Sequence, residues 1–514
     1  MPIRVGSSVC ASMFPRTLGS NPLSQLSSRR LWLYACLCGG IAALANPPFG
    51  VPLAAVIGAL GFMLARPWRF GTKRGFWLGW GFGLGYFTPT FHWIIEPFLV
   101  DPLRHGWMAP FAILFLSGGL ALFWGAAVSF AGWRRSGLLL VIAMGCAELA
   151  RGYLFTGFPW AMLVTTSVDQ MLYQAAAWIG PYALTMVFWG VLWAAVASWR
   201  SVPAVSLGLI GVMVALVIVP APKGPKAASD APLLRAVQPN AAQDQKWDPA
   251  MIPVFLSRML ESTAAAPQAD FILWPEISVP YALDEAGALL SVVSERAGGA
   301  PVMVGAQRFQ AGKLYNVLAL VEPRGDVSDV YDKAHLVPFG EYMPLAERFA
   351  AWGIFGLATD GQFGFSAGTG GHVVDVPGIG LVQPILCYES VFPRNVGNTS
   401  ERPRLLALST NDAWFGEYGG PRQHLQQAQA RAIEQGLPVL RSANTGISSV
   451  IDARGHVLAE LPLGVAGHVD HALPPALPPT LYSRWREMGF ALIVALLVFG
   501  HVFGRWKGRQ GFSD

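Results

Sequence analysis

From Leu31 to Pro220 the chain reads as a succession of apolar runs separated by short loops that hold most of the charge. Runs near 31–47, 51–66, 75–95, 107–130, 137–154, 171–196 and 203–220, with a last one near 488–504, approach the roughly 20 residues that cross about 30 Å of hydrocarbon as a helix. The pattern predicts an eight-helix transmembrane bundle, its second helix short, behind a tail over 1–30 that has no apolar core of its own. After residue 220 the pattern changes. A Pro/Lys/Ala linker over 221–232 gives way to short apolar runs: "LLRAVQP", "FILWPE", "PVMVGAQRF", "LYNVLALVEP", "LVQPILCYES", "LLALSTND" and "GISSVIDARG". Their length and bounding turn residues predict strands. Apolar spacing near 249–264, 282–297 and 421–435 predicts helices. Strands alternating with helices predict a layered α/β domain over 233–480, before the eighth helix at 487–504 and a short tail at 505–514.

Composition supports the membrane reading. Hydrophobic residues make up 53% and charged residues 13%, about half the charge of a soluble protein at roughly 25%. The net charge of +5 is scattered, which excludes a nucleic-acid footprint. Its placement is informative. Arg66, Arg69, Lys73 and Arg74, then Arg134 and Arg135, then Arg200, then Arg505, Lys507 and Arg509 all fall on the side of the Arg-bearing N-terminus if there are eight spans. The positive-inside rule then expects both termini in the cytoplasm and the α/β domain outside it. Glu148 and Arg151 lie in an apolar run and are expensive in lipid unless paired. Three residues apart on a helix they share a face, so an ion pair, proximity to headgroups and a substrate path all fit.

Candidate chemistry centres on Cys387, one of five cysteines in a chain without CxxC or zinc spacing. It ends the apolar run "LVQPIL". In an oxidising compartment a lone thiol is either buried and inert or kept for its reactivity. Glu276 ends "FILWPE", where poor solvation raises a carboxyl toward the range of a general base. Lys333, in "DVYDKAHLVPFGEYMP", offers an ammonium that favours a thiolate and an oxyanion. Glu341 in the same stretch is placed to orient it, and Tyr388 and Glu389 follow the thiol as supporting candidates. Each motif alone also fits a turn glutamate, a surface lysine or a core cysteine.

Together and in this order, "WPE", "KAHLVPFGEYMP" and "CYES" resemble the nitrilase, or carbon–nitrogen hydrolase, superfamily. With "TNDAWFG", "RSANTGISSVID" and "RGYLFTGFPW", and a membrane part on either side, nearly the whole chain resembles the bacterial apolipoprotein N-acyltransferase family. The resemblance implies an αββα sandwich and a triad of Glu276 as proton acceptor, Lys333 as oxyanion stabiliser and Cys387 as nucleophile. It implies a thioester acyl-enzyme at the outer face of the bacterial inner membrane. The acyl donor would be a membrane phospholipid, and the acceptor the α-amino group of diacylglyceryl-cysteine in an apolipoprotein. No cofactor or metal is expected. A lipid substrate asks for apolar loops at the bilayer surface. Trp352, Phe355 and Phe363 in "AAWGIFGLATDGQFGF", Trp414 and Phe415 in "NDAWFGEYGG", and Trp247 in "DQKWDP" are candidates to line or cover the site, though the same rings fit ordinary packing. The triad alone equally fits a membrane-tethered amidase or lipid hydrolase using water. A transporter with an inert external domain leaves the motifs unexplained.

Overall fold

The computed structural model describes residues 22–344 and 364–510. Helices occupy every apolar run named above. They are α1 Ser28–Ala43, α2 Pro52–Leu64, α3 Gly71–Thr90, α4 Ala109–Arg134, α5 Gly137–Tyr153, α6 Ala176–Ser198 and α7 Pro203–Ile218. Glycine decides how closely they pack. A Cβ on Gly39 of α1 would lie 2.1 Å from the Phe82 carbonyl of α3, and one on Gly85 would lie 2.1 Å from the Cys36 carbonyl. The two helices therefore meet backbone to backbone, as small residues allow in apolar surroundings. Beside them Phe82, Tyr86 and Phe87 pack on Trp124, their ring centroids 4.7–5.4 Å away. Glu148 and Arg151 are both buried and form an ion pair. Trp124 also donates to Glu148, and Arg151 donates to the carbonyls of Phe158 and Trp160.

Among the described residues, length and composition qualify two helical stretches, Pro102–Arg134 and Ala176–Ser198, to cross a membrane unaided. Eight full-length spans are thus not what the helices provide. α2 has 13 residues and α7 has 16, short of the roughly 20 of a straight crossing. Breakers such as Pro52 and Pro203 set their starts.

The second unit contains two six-stranded sheets. β1 Leu233–Gln238, β2 Phe271–Leu273, β3 Val302–Gln310, β4 Lys313–Val321, β5 Val327–Asp332 and β12 Gly467–Ala472 form one, in the order β12-β1-β2-β3-β4-β5. β6 Val374–Val376, β7 Gly380–Leu386, β8 Leu405–Thr410, β9 Val439–Ala443, β10 Ser448–Ile451 and β11 Val457–Leu461 form the other, in the order β11-β10-β9-β8-β7-β6. The central strands β1–β3 and β7–β9 are parallel. Parallel strands covered on both faces read as continuous apolar runs; β2 "FIL" does, whereas buried Arg235 and Arg441 interrupt β1 and β9. Leu234, Phe271, Leu273 and Met303 of one sheet meet Leu386, Leu405, Ala407 and Leu440 of the other. α8 Ile252–Thr263 and α9 Gly287–Arg296 cover the outer face of the first sheet. α10 Gly420–Gln435 covers the second, and α11 Met488–Gln510 returns to the helical unit. The expected αββα layering is present.

Candidate active site

Parallel strands collect their C-terminal ends at one edge, and the candidate residues come from those ends. β2 stops at Leu273. Pro275 cannot extend the ladder, and Ile277 turns with φ 45°. The turn presses on β3 at Gly305, where a Cβ would stand 2.3 Å from the Pro275 carbonyl and 2.8 Å from Glu276 Cα. Glu276 is thereby aimed inward and is 6% exposed. Lys333 follows β5, its N–H donating to the Asn316 carbonyl at 2.9 Å, and it is 1% exposed. Cys387 follows β7 with φ 46°, a left-handed conformation rare for a residue with a side chain. Such strain gathers at functional elbows and needs support from its surroundings.

The side chains form one network. Lys333 Nζ donates to Glu276 Oε1 at 2.8 Å and to Glu341 Oε1 at 2.9 Å. Asn316 Nδ2 donates to the same two oxygens at 2.8 and 3.0 Å. Glu276 Oε2 accepts from the Asn411 N–H at 3.1 Å, and Glu341 Oε2 from the Val337 N–H at 2.8 Å. Burial works to raise the Glu276 carboxyl, but Lys333 and Asn316 override it and hold the group below its ordinary value. Burial likewise opposes the Lys333 charge, and Glu276 and Glu341 more than reverse this, keeping it an ammonium. Burial, reinforced by Glu276, pushes the Cys387 thiol up against the pull of Lys333. The resting site is a thiol beside a carboxylate and an ammonium. This is the protonation state from which a base-assisted thiol attack begins.

The elbow is braced on two sides. Glu389 Oε1 accepts from Tyr331 Oη at 2.7 Å and from the Ala334 and His335 N–H groups at 2.8 and 3.1 Å, while its Oε2 accepts from the Leu386 N–H at 2.8 Å. One carboxylate thus joins the loop after Lys333 to the strand before Cys387. On the other side, buried His424 reaches the Cys387 carbonyl through Nε2 at 3.2 Å and Ser390 Oγ at 2.9 Å. Its Nδ1 meets Asp412 Oδ1 at 2.8 Å, and Asp412 pairs with buried Arg441. Burial would raise the Asp412 carboxyl, but Arg441 and His424 bring it down to about 2.

Of the expected supporting residues, Glu341, Tyr388 and Glu389 all lie in this cluster, Tyr388 donating its hydroxyl to the Gly157 carbonyl of the helical unit at 3.1 Å. Trp247 is half-exposed and lines a cavity that also holds Glu276, Lys246, Phe255 and Met259. Phe415 is not a free covering ring. It is wedged against Trp93, Trp160 and His424, with centroids 4.9–5.7 Å away. Trp414 beside it is half-buried. Trp352, Phe355 and Phe363 lie outside the described residues. Asn316, Lys246, Asp412, His424 and Arg441 were not singled out by sequence. Only Asn316 carried a signal, a lone amide inside the apolar strand "LYNVLALV".

Known proteins resemble the chain in both parts. Residues 233–477 match the carbon-nitrogen hydrolase family, and residues 38–196 match the apolipoprotein N-acyltransferase N-terminal domain. An apolipoprotein N-acyltransferase of Rhodopseudomonas palustris is 34% identical over 90% of this chain and 93% of its own. Those of Bradyrhizobium diazoefficiens and Caulobacter vibrioides are each 35% identical, covering 91% and 92% of this chain and 93% and 94% of theirs. At this identity, and over nearly the full length of both partners, the chain belongs to the apolipoprotein N-acyltransferase family.

Proposed function

We propose that this acyltransferase moves a fatty acyl chain from a membrane phospholipid to the α-amino group of diacylglyceryl-cysteine in apolipoproteins, through a thioester on Cys387. Glu276 takes the thiol proton as sulfur attacks the ester carbonyl. Lys333 stabilises the oxyanion, and Glu276 returns the proton to the departing alcohol, leaving lysophospholipid and acyl-enzyme. The acceptor amine then attacks the thioester. Its proton passes to Glu276 and on to the thiolate, which restores the thiol. The observation that carries this reading is Lys333 held between Glu276 and Glu341 beside a thiol in a strained elbow.

The helical unit supports a bilayer setting. Large apolar side chains such as Leu37, Ile57, Phe115, Leu207 and Phe499 are exposed on its outer face, which water would penalise and lipid would not. α3 begins beside Lys73 and Arg74 and ends beside His92 and Trp93, which touch Tyr418 and Phe415. Its 20 residues rise about 30 Å. The basic start of α3 thus lies about 30 Å from the end that meets the catalytic unit, about a bilayer's thickness. This supports eight crossings, some completed by non-helical turns, with both termini cytoplasmic and the αββα domain outside. An acyl chain costs about 0.8 kcal/mol per CH₂ to expose, so a site fastened to such a bundle suits a lipid donor.

Intact-mass analysis after mixing with phospholipid tests the reading. Wild type should gain an acyl-sized, hydroxylamine-sensitive adduct that Cys387→Ser lacks, and a diacylated peptide should discharge it to N-acylated peptide. Release of free fatty acid without acylated peptide would instead favour hydrolysis.

A further inference from the structure

The cluster around Lys333 has a charge imbalance. Two carboxylates, Glu276 and Glu341, share a single ammonium, leaving one net negative charge in a buried site. When Glu276 takes the Cys387 proton, the negative charge moves to sulfur and the surplus of one remains. Unpaired charge in such surroundings is costly, so another cation belongs nearby. Lys246 is that group. Its Nζ donates to the Glu276 main-chain carbonyl at 3.1 Å, and it lines the cavity into which Glu276 opens. It also lies 5.5 Å from the centroid of the Trp247 ring.

Lys333 is pinned by two carboxylates, whereas among the described residues Lys246 has no ion-pair partner at all. The other charged groups around it are otherwise engaged. Glu389 accepts four hydrogen bonds, and Asp412 is paired with Arg441 and His424. Arg258 bonds the Pro239 and Asn240 carbonyls. Asp244 and Asp248, on the loop that carries Lys246, are exposed and form no ion pair with it.

We propose that Lys246 is a second, unclamped ammonium that offsets the surplus negative charge of the Glu276–Lys333–Glu341 cluster and thereby lets Cys387 ionise for attack. This rests on the reading of Cys387 as nucleophile. It also gives the site a titratable limit. Burial lowers Lys246 to about 8, opposed by Glu276 and Cys387, so its charge is present at neutral pH and fades above that value. A free ammonium at the thioester has a second effect: it disfavours protonation of an incoming amine and so favours the nucleophilic form.

The test is the rate of Cys387 alkylation by iodoacetamide in the full chain, read by mass spectrometry of the Cys387 peptide, from about pH 6 to about pH 10. Wild type, Lys246→Met, Lys246→Arg and Cys387→Ser are compared, with single-turnover acylation by a p-nitrophenyl fatty ester measured alongside. Lys246→Met should slow both reactions about tenfold at neutral pH, and the gap to wild type should narrow as pH rises past about 8, where wild-type Lys246 loses its charge. Lys246→Arg should recover most of the neutral rate, and its acylation rate should hold beyond the pH at which the wild type declines, since guanidinium keeps its charge. An unchanged profile in Lys246→Met overturns the proposal, as does a folded Lys246→Arg as slow as Lys246→Met, because shape rather than charge would then matter. If Lys246→Met does not fold, Lys246→Arg against wild type at high pH decides. Acylation that persists in Cys387→Ser would instead refute the nucleophile assignment itself.

Discussion

Replacing Arg441 by Met tests whether the elbow is held from behind. Arg441 is fully buried on β9 and is the partner of Asp412 Oδ2, while Oδ1 is met by His424 and Thr410. Removing one member of a buried pair leaves an uncompensated charge and costs about 3–5 kcal/mol. At about 2–4 °C per kcal/mol for a unit of this size, the domain's melting midpoint should fall by about 10 °C. The pH dependence should change as well. Asp412 titrates at about 2 when folded, below its unfolded value of roughly 3.9. Its contribution to stability is present above the unfolded value and lost as pH falls through about 2. Without Arg441, burial dominates, so acid loss should begin at higher pH. Hydrogen exchange should localise the damage to amides 386–391 and 410–413. In a double-mutant cycle, Asp412→Asn with Arg441→Met should cost less than the sum of the two single changes. A variant with unchanged melting and exchange would refute the brace.

Other substitutions probe separate links. Gly305→Ala puts a Cβ against the Pro275 carbonyl and Glu276 Cα; the turn must shift, and kcat for acylation should fall at least about tenfold, given the tight geometry general-base catalysis needs. Glu341→Gln leaves Lys333 to Glu276 alone, tightening that pair and weakening the base; kcat should drop about ten- to hundredfold with KM nearly unchanged. Gln423→Leu strands the indole N–H groups of Trp93 and Trp160, both donating to its Oε1 at 3.1 Å. At about 1–3 kcal/mol for each unsatisfied donor, limited proteolysis should find the joint between the two units loosened.

Glu276 and Cys387 were legible because each sits where an apolar run ends, whereas Lys333 follows the polar strand "VSDVYD" and stood out only through its loop motif. A layered α/β domain followed from the alternation of strands and helices, and the αββα order from the family resemblance. The limits are equally physical. α2 and α7 stop short because prolines set their starts, which hydropathy windows blur. α10 was expected as a helix near 421–435, but its burial was not legible: "GPRQHLQQAQARAIEQ" is rich in polar residues, yet nearly all of it is buried. Two of its polar side chains, Gln423 and His424, are met by Pro47, Thr90, Trp93, Trp160 and Asp412. Some of these partners lie more than 300 residues away, and periodicity registers none of them. Lys246 was invisible for the same reason: its role lies in what surrounds it.

Two neighbours on α10 set a dimension of the machine. Gln423 donates to the Pro47 and Thr90 carbonyls of the helical unit, and the next residue, His424, meets the Cys387 carbonyl. A single peptide step therefore fixes the height of the sulfur above the bundle. On the proposed mechanism the lipid would have to come to the thiol: donor and acceptor would each lift their reacting carbon or nitrogen to one level, and the enzyme would discriminate by how far a molecule can rise before its tails lose the bilayer.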